Sequence, residues 1–497
     1  METANYSEAY RSLLNFVHLI ESDKPSYTLY AEKNGIPFDI DAKFHATDNG
    51  DYALSFSSET LIPPTALAIP LWEIHSEWYD IIFDNIDVRE RKTTYNKSTE
   101  KVDVYQIITK SFRSTINNDW KDSYICAFYK YDHSIFNPSK SCILNSNDTP
   151  IRHNSVEIKI GKCELTIFWG EKAENKDKDE RYLTFFSKTK TDLSTFKEIV
   201  NTIRVVWGLV TGYYIGKSVY YVSCIPELGW NGLSFMYNNL QEEIVTYRGL
   251  LDYALCDNIP EQDLRLTIEE FERLANLLYS NDSFYRAGQL LIQASHDEGL
   301  SKGGIAAIAL ETITGEIENL RKKREKGKKN EFKMPDILLE ELQDCLRRYN
   351  QDGKITVEQY EHYLKKINGF STPFNSDKLT MPFQLLNITL SHSERDIINN
   401  RNSILHGNLP HAIRDSTFAS KLDKNELVFY ASNKLVMLCG MLLFGMANID
   451  KLIIDWGVTI IVKKRLIDTG RYIGRCGKRY RRILGNKPKE DSPDWLL

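Results

Sequence analysis

The sequence predicts an α+β multidomain chain, with a β-rich N-terminal domain followed by an all-α C-terminal domain. Three observations carry this. At 497 residues the chain exceeds what one ordinary hydrophobic core organises. Its first half alternates apolar and polar residues in short runs bounded by turn residues, the period of half-buried strands. After Asp263 the apolar spacing changes to threes and fours, the period of helices. Hydrophobic content of 42% with 26% charged residues is that of a globular chain, not a disordered one.

Taken in order, Phe38, Ile40, Ala42 and Phe44 alternate with Asp39, Asp41 and Lys43, which predicts a strand. Asp48-Asn49-Gly50-Asp51 supplies turn chemistry, and Tyr52, Leu54 and Phe56 alternate on the return. A second hairpin runs from Val156, Ile158 and Ile160 through Gly161-Lys162 to Cys163, Leu165, Ile167 and Trp169. The charged stretch 171–181 reads as a solvated loop before a strand at 182–186. A helix over 193–213 and strands near 219–224 and 233–237 complete this part. The expected divisions are 1–250, 251–460 and a basic tail, 461–497.

In the second half, Ile305, Ala309, Ile313, Ile317 and Leu320 form one apolar stripe on a long helix. Further helices are expected at 336–349, 356–367, 392–406 and 424–447, with Gly369, Pro373 and Pro382 punctuating the stretch between the second and third. The longest apolar run, Leu435 to Ala447, falls short of the ~18 residues that span a bilayer, and reads as a buried core helix. The N-terminus has no basic region followed by an apolar run, so no secretory signal is expected. Eight cysteines are scattered without a CxxC pair, which fits free thiols in a reducing cytoplasm, with no metal, no cofactor and no membrane association expected.

Two tempting motifs fail. Gly212-Tyr213-Tyr214-Ile215-Gly216-Lys217-Ser218 resembles a P-loop but has three residues between its glycines where four are needed, and it follows a predicted helix. Asn350-Gln351-Asp352-Gly353 resembles the middle of a calcium loop. With Gly353 at its sixth position, however, Arg348 and Gln359 stand where carboxylates are required. A helix–turn–helix is the better reading.

The segment that remains is Ser391 to Gly407. Ser391 and Glu394 form a capping box and Gly407 is a natural stop, so a helix over 392–406 is bounded at both ends. With Ile397 set at 0° on an ideal helix, Ile404 falls near 340°, Leu405 near 80° and Arg401 near 40°, inside the apolar arc. A cation on a buried face must be paired, by an acid from another helix or by an arriving phosphate. His406 lies about 140° from Arg401, which is wrong for two ligands on one metal but suits two groups entering a pocket separately.

RNA can be cleaved without metal by its own 2′-hydroxyl. The reaction needs a base, an acid and a cation on the phosphorane. Histidine serves the proton transfers near neutral pH and the arginine fork suits phosphate oxygens. One chain offers one such histidine; a homodimer with facing motifs offers two. The same residues also fit a structural reading, a capping His406 and an ion-paired Arg401.

Arg401-Asn402-Ser403-Ile404-Leu405-His406, late in a helical domain, resembles the HEPN superfamily signature of Arg, a polar residue, a short spacer and His. The Ala309-Leu310-Glu311 segment looks like the acidic first helix of that bundle. A strand-rich first half joined to such a domain resembles the ApeA-like branch, bacterial abortive-infection proteins active against phage. The resemblance implies a metal-independent endoribonuclease working as a dimer on host or phage RNA, transfer RNA included, with a phage-derived trigger. It implies catalytic roles for Arg401, Asn402 and His406, and for Glu311. Its rival is a non-catalytic member of the same superfamily that binds a ligand or protein.

The tail adds to this. Residues 461–489 hold eleven Lys or Arg against one acid, so a chain of net charge −5 carries −15 outside this segment. Lys463, Lys464, Arg465, Arg475, Lys478, Arg479, Arg481 and Arg482, interleaved with Tyr472 and Tyr480, are the expected RNA-binding set. An acidic patch on the chain's own body is the competing partner.

Overall fold

The computed structural model describes residues 13–21, 26–58, 72–95, 101–132, 143–144, 155–224, 234–251, 260–324, 335–369, 375–406, 408, 422–461 and 480–482, apart from short stretches inside those ranges. The protein is mixed α and β, a sheet-based N-terminal part and a helical C-terminal part, in two compact units, Met1–Tyr285 and Arg286–Leu497.

The first unit opens with a helix at 13–21 (α1). Its sheet strands are β1 (Ser26–Tyr30), β2 (Ile40–Ala46), β3 (Tyr52–Ser58), β4 (Trp72–His75), β5 (Asp80–Phe83), β6 (Ile86–Tyr95), β7 (Lys101–Thr109) and β8 (Ser111–Ser114). They continue as β9 (Tyr124–Asp132), β10 (Ser155–Ile160), β11 (Cys163–Lys172), β12 (Glu180–Ser187), β13 (Ser218–Cys224) and β14 (Ser234–Asn239). Their lateral order is β10-β11-β12-β9-β13-β14-β8-β5-β4-β1-β2-β3-β7-β6. Both expected hairpins are present, with Phe44 opposite Leu54 and Ile160 opposite Cys163. The stretch expected as a loop at 171–181 is shorter than its charge suggests. Glu171 and Lys172 still pair with Tyr182 and Arg181, beyond a bulge after Trp169.

Several strands separate β3 from β8 and β14, yet their aromatic rings meet. Tyr52 lies 5.0 Å from Phe112 and 4.8 Å from Tyr237, and Phe112 stacks on Tyr237. The sheet therefore curls over an aromatic core, as strand twist allows.

Helix α2 (Leu193–Thr211) begins at Asp192, which accepts from the Thr195 amide, and ends at Gly212 in the left-handed region (φ 75°). A Cβ at Gly212 would also sit 2.6 Å from the Gly249 backbone nitrogen, so this glycine is a helix stop packed against another segment, not a phosphate loop.

Helix α3 (Ile268–Tyr279) explains why the units divide at 285/286, later than the expected boundary at 250/251. Glu272 accepts from the Lys159 amide, and Asn276 accepts from the Gly161 amide while donating to the Lys159 carbonyl. These side chains cap the outermost strand, whose backbone would otherwise be unpaired.

Helix α4 (Asp282–His296) bridges the division. The second unit then contains α5 (Gly299–Arg324), α6 (Asp336–Gln351), α7 (Val357–Gly369), α8 (Asn375–Leu385), α9 (His392–Leu405) and α10 (Lys424–Met446). α8, α9 and α10 all pack against α5. α10 is long and apolar enough to span a membrane, but 89% of its most apolar window is buried within the protein, as expected of a core helix. Gly353 (φ 66°) turns α6 into α7, the expected helix–turn–helix.

Two expectations need correction. The sequence predicts no helix at α8, because proline breaks helices, whereas the helix holds Pro382 and buries Leu379, Met381 and Phe383 around it. The second unit is also not purely helical. Leu452–Ile454 (β15) pairs antiparallel with Tyr480–Arg482 (β16), drawing part of the basic tail into a ladder.

Candidate active site

The site is built on α9. Ser391 accepts from the Glu394 amide, and Glu394 accepts from the Ser391 amide, so the expected capping box starts the helix. Ile397, Ile398, Arg401 and Ile404 form its buried face. The close approach of α9 to α5 depends on Gly303. A Cβ there would stand 2.7 Å from Ile404 Cγ2 and 2.6 Å from Ser432 Oγ of α10. Three helices thus meet at a residue with no side chain.

Arg401 lies where the helical wheel puts it, buried with a side-chain exposure of 8%. Its Nε donates to Glu311 Oε1 at 3.0 Å, and Nη1 donates to the Ile398 carbonyl at 3.3 Å. Among the described residues Nη2 has no hydrogen-bond partner. Glu311, on α5, is 44% exposed, so the pair is buried on the arginine side and open to solvent on the carboxylate side.

His406 ends α9. Its amide donates to the Asn402 carbonyl, and its side chain is exposed, as is that of Asn402. Neither side chain makes a hydrogen bond to any described residue. The structure therefore joins Glu311 to Arg401 and leaves Asn402 and His406 at the surface of the same helix end. The Asn408 amide donates to the Ser403 carbonyl and closes this turn.

A second polar group, missed from the sequence, holds the other end of α9. Lys434 of α10 is 2.6 Å from Asp455 Oδ2 and 3.8 Å from Glu394 Oε1, with all three residues buried. Burial works against the charge of Lys434, but Asp455, with Tyr430 and Glu394, holds its pKa above the ordinary lysine value. Glu394 was visible only as a cap. Lys434 sits one residue before the apolar run, where nothing local marks it as buried.

Of the expected RNA-binding cations, Arg481 and Arg482 lie on β16. Lys463, Lys464, Arg465, Arg475, Lys478 and Arg479 lie outside the described residues.

The first unit has its own buried charges. Lys130 Nζ is 2.5 Å from Glu21 Oε1 and 3.7 Å from Glu180 Oε2, and the Tyr220 hydroxyl donates to Glu21. Burial opposes the Glu21 charge, yet Lys130 and the surrounding hydroxyls keep its carboxyl below the usual range. This set bridges α1, β9, β12 and β13 and ties the sheet together.

No protein-family model, curated protein or solved structure matches the chain. The functional reading therefore rests on the residues themselves.

Proposed function

We propose that the helical unit is an endoribonuclease that cleaves RNA without a metal ion, using Arg401 and His406. The observation that carries this is the contrast along one helix. Arg401 is held on the buried face by Glu311, while five residues later His406 stands exposed at the last turn. The step is attack of a 2′-hydroxyl on the adjacent phosphorus. The O2′–P bond forms as the P–O5′ bond breaks, leaving a 2′,3′-cyclic phosphate and a 5′-hydroxyl. His406 takes the 2′ proton, the His406 of a second copy protonates the departing 5′ oxygen, and Arg401 neutralises charge on the phosphorane. Asn402 orients the scissile phosphate. Glu311 keeps the guanidinium in one rotamer until a phosphate competes for it.

In this reading the basic segment after Ile460 gathers RNA through phosphate contacts. The sheet unit slows the nuclease until a trigger arrives, without abolishing cleavage by the purified chain. The HEPN resemblance carries with it a setting in bacterial defence, where host or phage RNA, transfer RNA included, is the substrate and a phage component the trigger.

One observation favours a second reading. The Arg401–Glu311 pair satisfies the buried cation internally, as a purely structural arginine would require, and a non-catalytic HEPN scaffold would keep it. Incubating the purified chain with total RNA in EDTA separates the two. Fragments ending in 2′,3′-cyclic phosphate are expected for the nuclease. Intact RNA, or cleavage that appears only when Mg²⁺ is restored, contradicts it.

A further inference from the structure

Helix α2 places a cation where the sheet unit supplies little to neutralise it. Arg204 is 3% exposed, and its guanidinium lies between the rings of Tyr129 and Tyr214, 4.7 and 4.5 Å from their centroids. Nε donates to the Ile215 carbonyl at 2.6 Å and Nη1 to Asn201 Oδ1 at 2.7 Å. Nη2 is enclosed and has no hydrogen-bond partner. The acid that faces it, Glu242, holds Oε2 3.6 Å away on a side chain that is 57% exposed. The cations buried elsewhere in the chain are held more closely: Arg401, Lys130 and Lys434 each have a carboxylate oxygen within 3.0 Å. A desolvated cation without such a partner is costly, and the two ring faces offset only part of that cost.

The backbone over Nη2 is fixed, whereas the acid beside it is not. Tyr213 and Tyr214 pair antiparallel with Val245 and Ile244, and the Glu242 amide donates to the Gly216 carbonyl at 3.0 Å. A Cβ on Gly216 would stand 3.0 Å from Nη2 and 2.9 Å from the Glu242 carbonyl carbon, so only a glycine lets the chain cross the guanidinium here. The Glu242 carboxylate makes no hydrogen bond to a described residue, and turning it into solvent uncovers the side of Nη2 that it faces. Two half-buried tyrosines, Tyr214 and Tyr285, stand within electrostatic reach of both Arg204 and Glu242. Burial keeps both hydroxyls protonated, with the Tyr214 pKa pushed up to about 12, so they meet an anion as hydrogen-bond donors and not as charges.

We infer that Arg204 is the centre of an anion-binding site in the sheet unit, which takes a phosphate monoester at Nη2 in the place that Glu242 now holds. A free monocarboxylate brings only the group that Glu242 already supplies, and it competes with a tethered rival at roughly millimolar effective concentration. A phosphate monoester brings a second negative charge and further oxygens, so it contacts Nη2 and a tyrosine hydroxyl together. These contacts come from side chains, and the site does not need the backbone cradle that the segment from Gly212 to Ser218 lacks. The inference does not rest on the ribonuclease reading, since Arg204 and Glu242 both belong to the sheet unit and a chain that cuts no RNA still holds this cation. Where that reading holds, the site gives the sheet unit a small molecule to answer to.

Calorimetric titration of the full-length chain with inorganic phosphate, and with glycerol 3-phosphate as a small monoester, tests this against acetate. Both phosphates should bind more tightly than acetate, and Arg401→Ala should bind them as wild type does, which separates this site from the arginine of the helical unit. Glu242→Ala should tighten phosphate by about tenfold, because the tethered competitor is gone. Glu358→Ala, which removes one exposed charge from the helical unit, should leave the affinity unchanged. Arg204→Met should weaken it by about tenfold or more. In hydrogen exchange, phosphate should protect 204–217 and 240–245. If Arg204→Met loses its native circular dichroism, the Glu242→Ala comparison decides. Phosphate affinity that is unchanged or weaker in Glu242→Ala overturns the inference. So does binding that is lost in Arg401→Ala, acetate binding as tight as phosphate, protection confined to other segments, or no binding of phosphate to Glu242→Ala.

Discussion

Removing Glu311 should destabilise the end of α9 that carries Arg401, by an amount the geometry bounds. Glu311→Ala deletes the charge-assisted hydrogen bond to Nε, an interaction worth about 1.5–3 kcal/mol when a charged group is left without it. The carboxylate is 44% exposed, so solvent screening and water access bring the expected loss to about 1–2 kcal/mol. Glu311→Gln keeps an acceptor in place and should lose about half of that. In an Arg401→Ala background Glu311→Ala has nothing left to remove, and its effect should fall to a few tenths of a kcal/mol. Hydrogen exchange of the peptide covering 392–406, followed against urea in wild type, both single variants and the double, reads this local stability separately from the sheet unit. Strictly additive single effects would refute the claim that Glu311 is what holds the buried arginine.

The other expected outcomes are these. Gly303→Ala adds a methyl that meets Ile404 and Ser432 at under 3 Å; overpacking costs about 1–3 kcal/mol against about 1 kcal/mol regained in helix propensity. Chemical denaturation should therefore show a net loss near 1 kcal/mol, and a gain would mean the three helices separate easily there. Lys434→Ala leaves Asp455 and Glu394 buried without their cation and should cost about 3–5 kcal/mol at neutral pH. Because the folded lysine is held above its ordinary value, that contribution is present at neutral pH and fades only as pH rises through the folded value. Equal stability of the Lys434→Ala variant and wild type at pH 7 would exclude it. Replacing Arg475, Lys478, Arg479, Arg481 and Arg482 with Gln should lower the slope of log affinity for RNA against log salt by up to about one per lost contact, without moving the cut sites. An unchanged slope would assign the tail to the chain's own acidic body.

How much of this was legible in the sequence follows from how local each feature is. The capping box of α9, the turn at Gly353 and both hairpins involve residues within a few positions of each other, and all are present as read. The burial of Arg401 also followed from period alone, with the requirement for a partner, either an acid from another helix or an arriving phosphate. The HEPN resemblance singled out Glu311 for a catalytic role without pairing it to Arg401; that Glu311 is the acid on the guanidinium is visible only in the structure. Two things were out of reach. The Lys434–Asp455–Glu394 group joins α10, a turn and α9, and no periodicity links them. The division at 285/286 was hidden because α3 has an ordinary helical pattern, and what attaches it to the first unit is long-range: its side-chain bonds to the Lys159 and Gly161 backbone and the packing of Phe271 on Trp207. Pro382 departs from expectation for a related reason: a helix packed on α5 tolerates the loss of the hydrogen bond that proline cannot donate.

The central claim is that Arg401 and His406 cut RNA. The most direct measurement compares wild type with His406→Ala on total RNA in EDTA, with thermal unfolding of both chains recorded beside the cleavage rate. His406 is exposed and its side chain has no hydrogen bond to a described residue, so the substitution should leave the unfolding temperature unchanged while cleavage disappears. A His406→Ala chain that is equally stable and cuts at the wild-type rate would contradict the account, and would leave the α9 terminus as a helix cap.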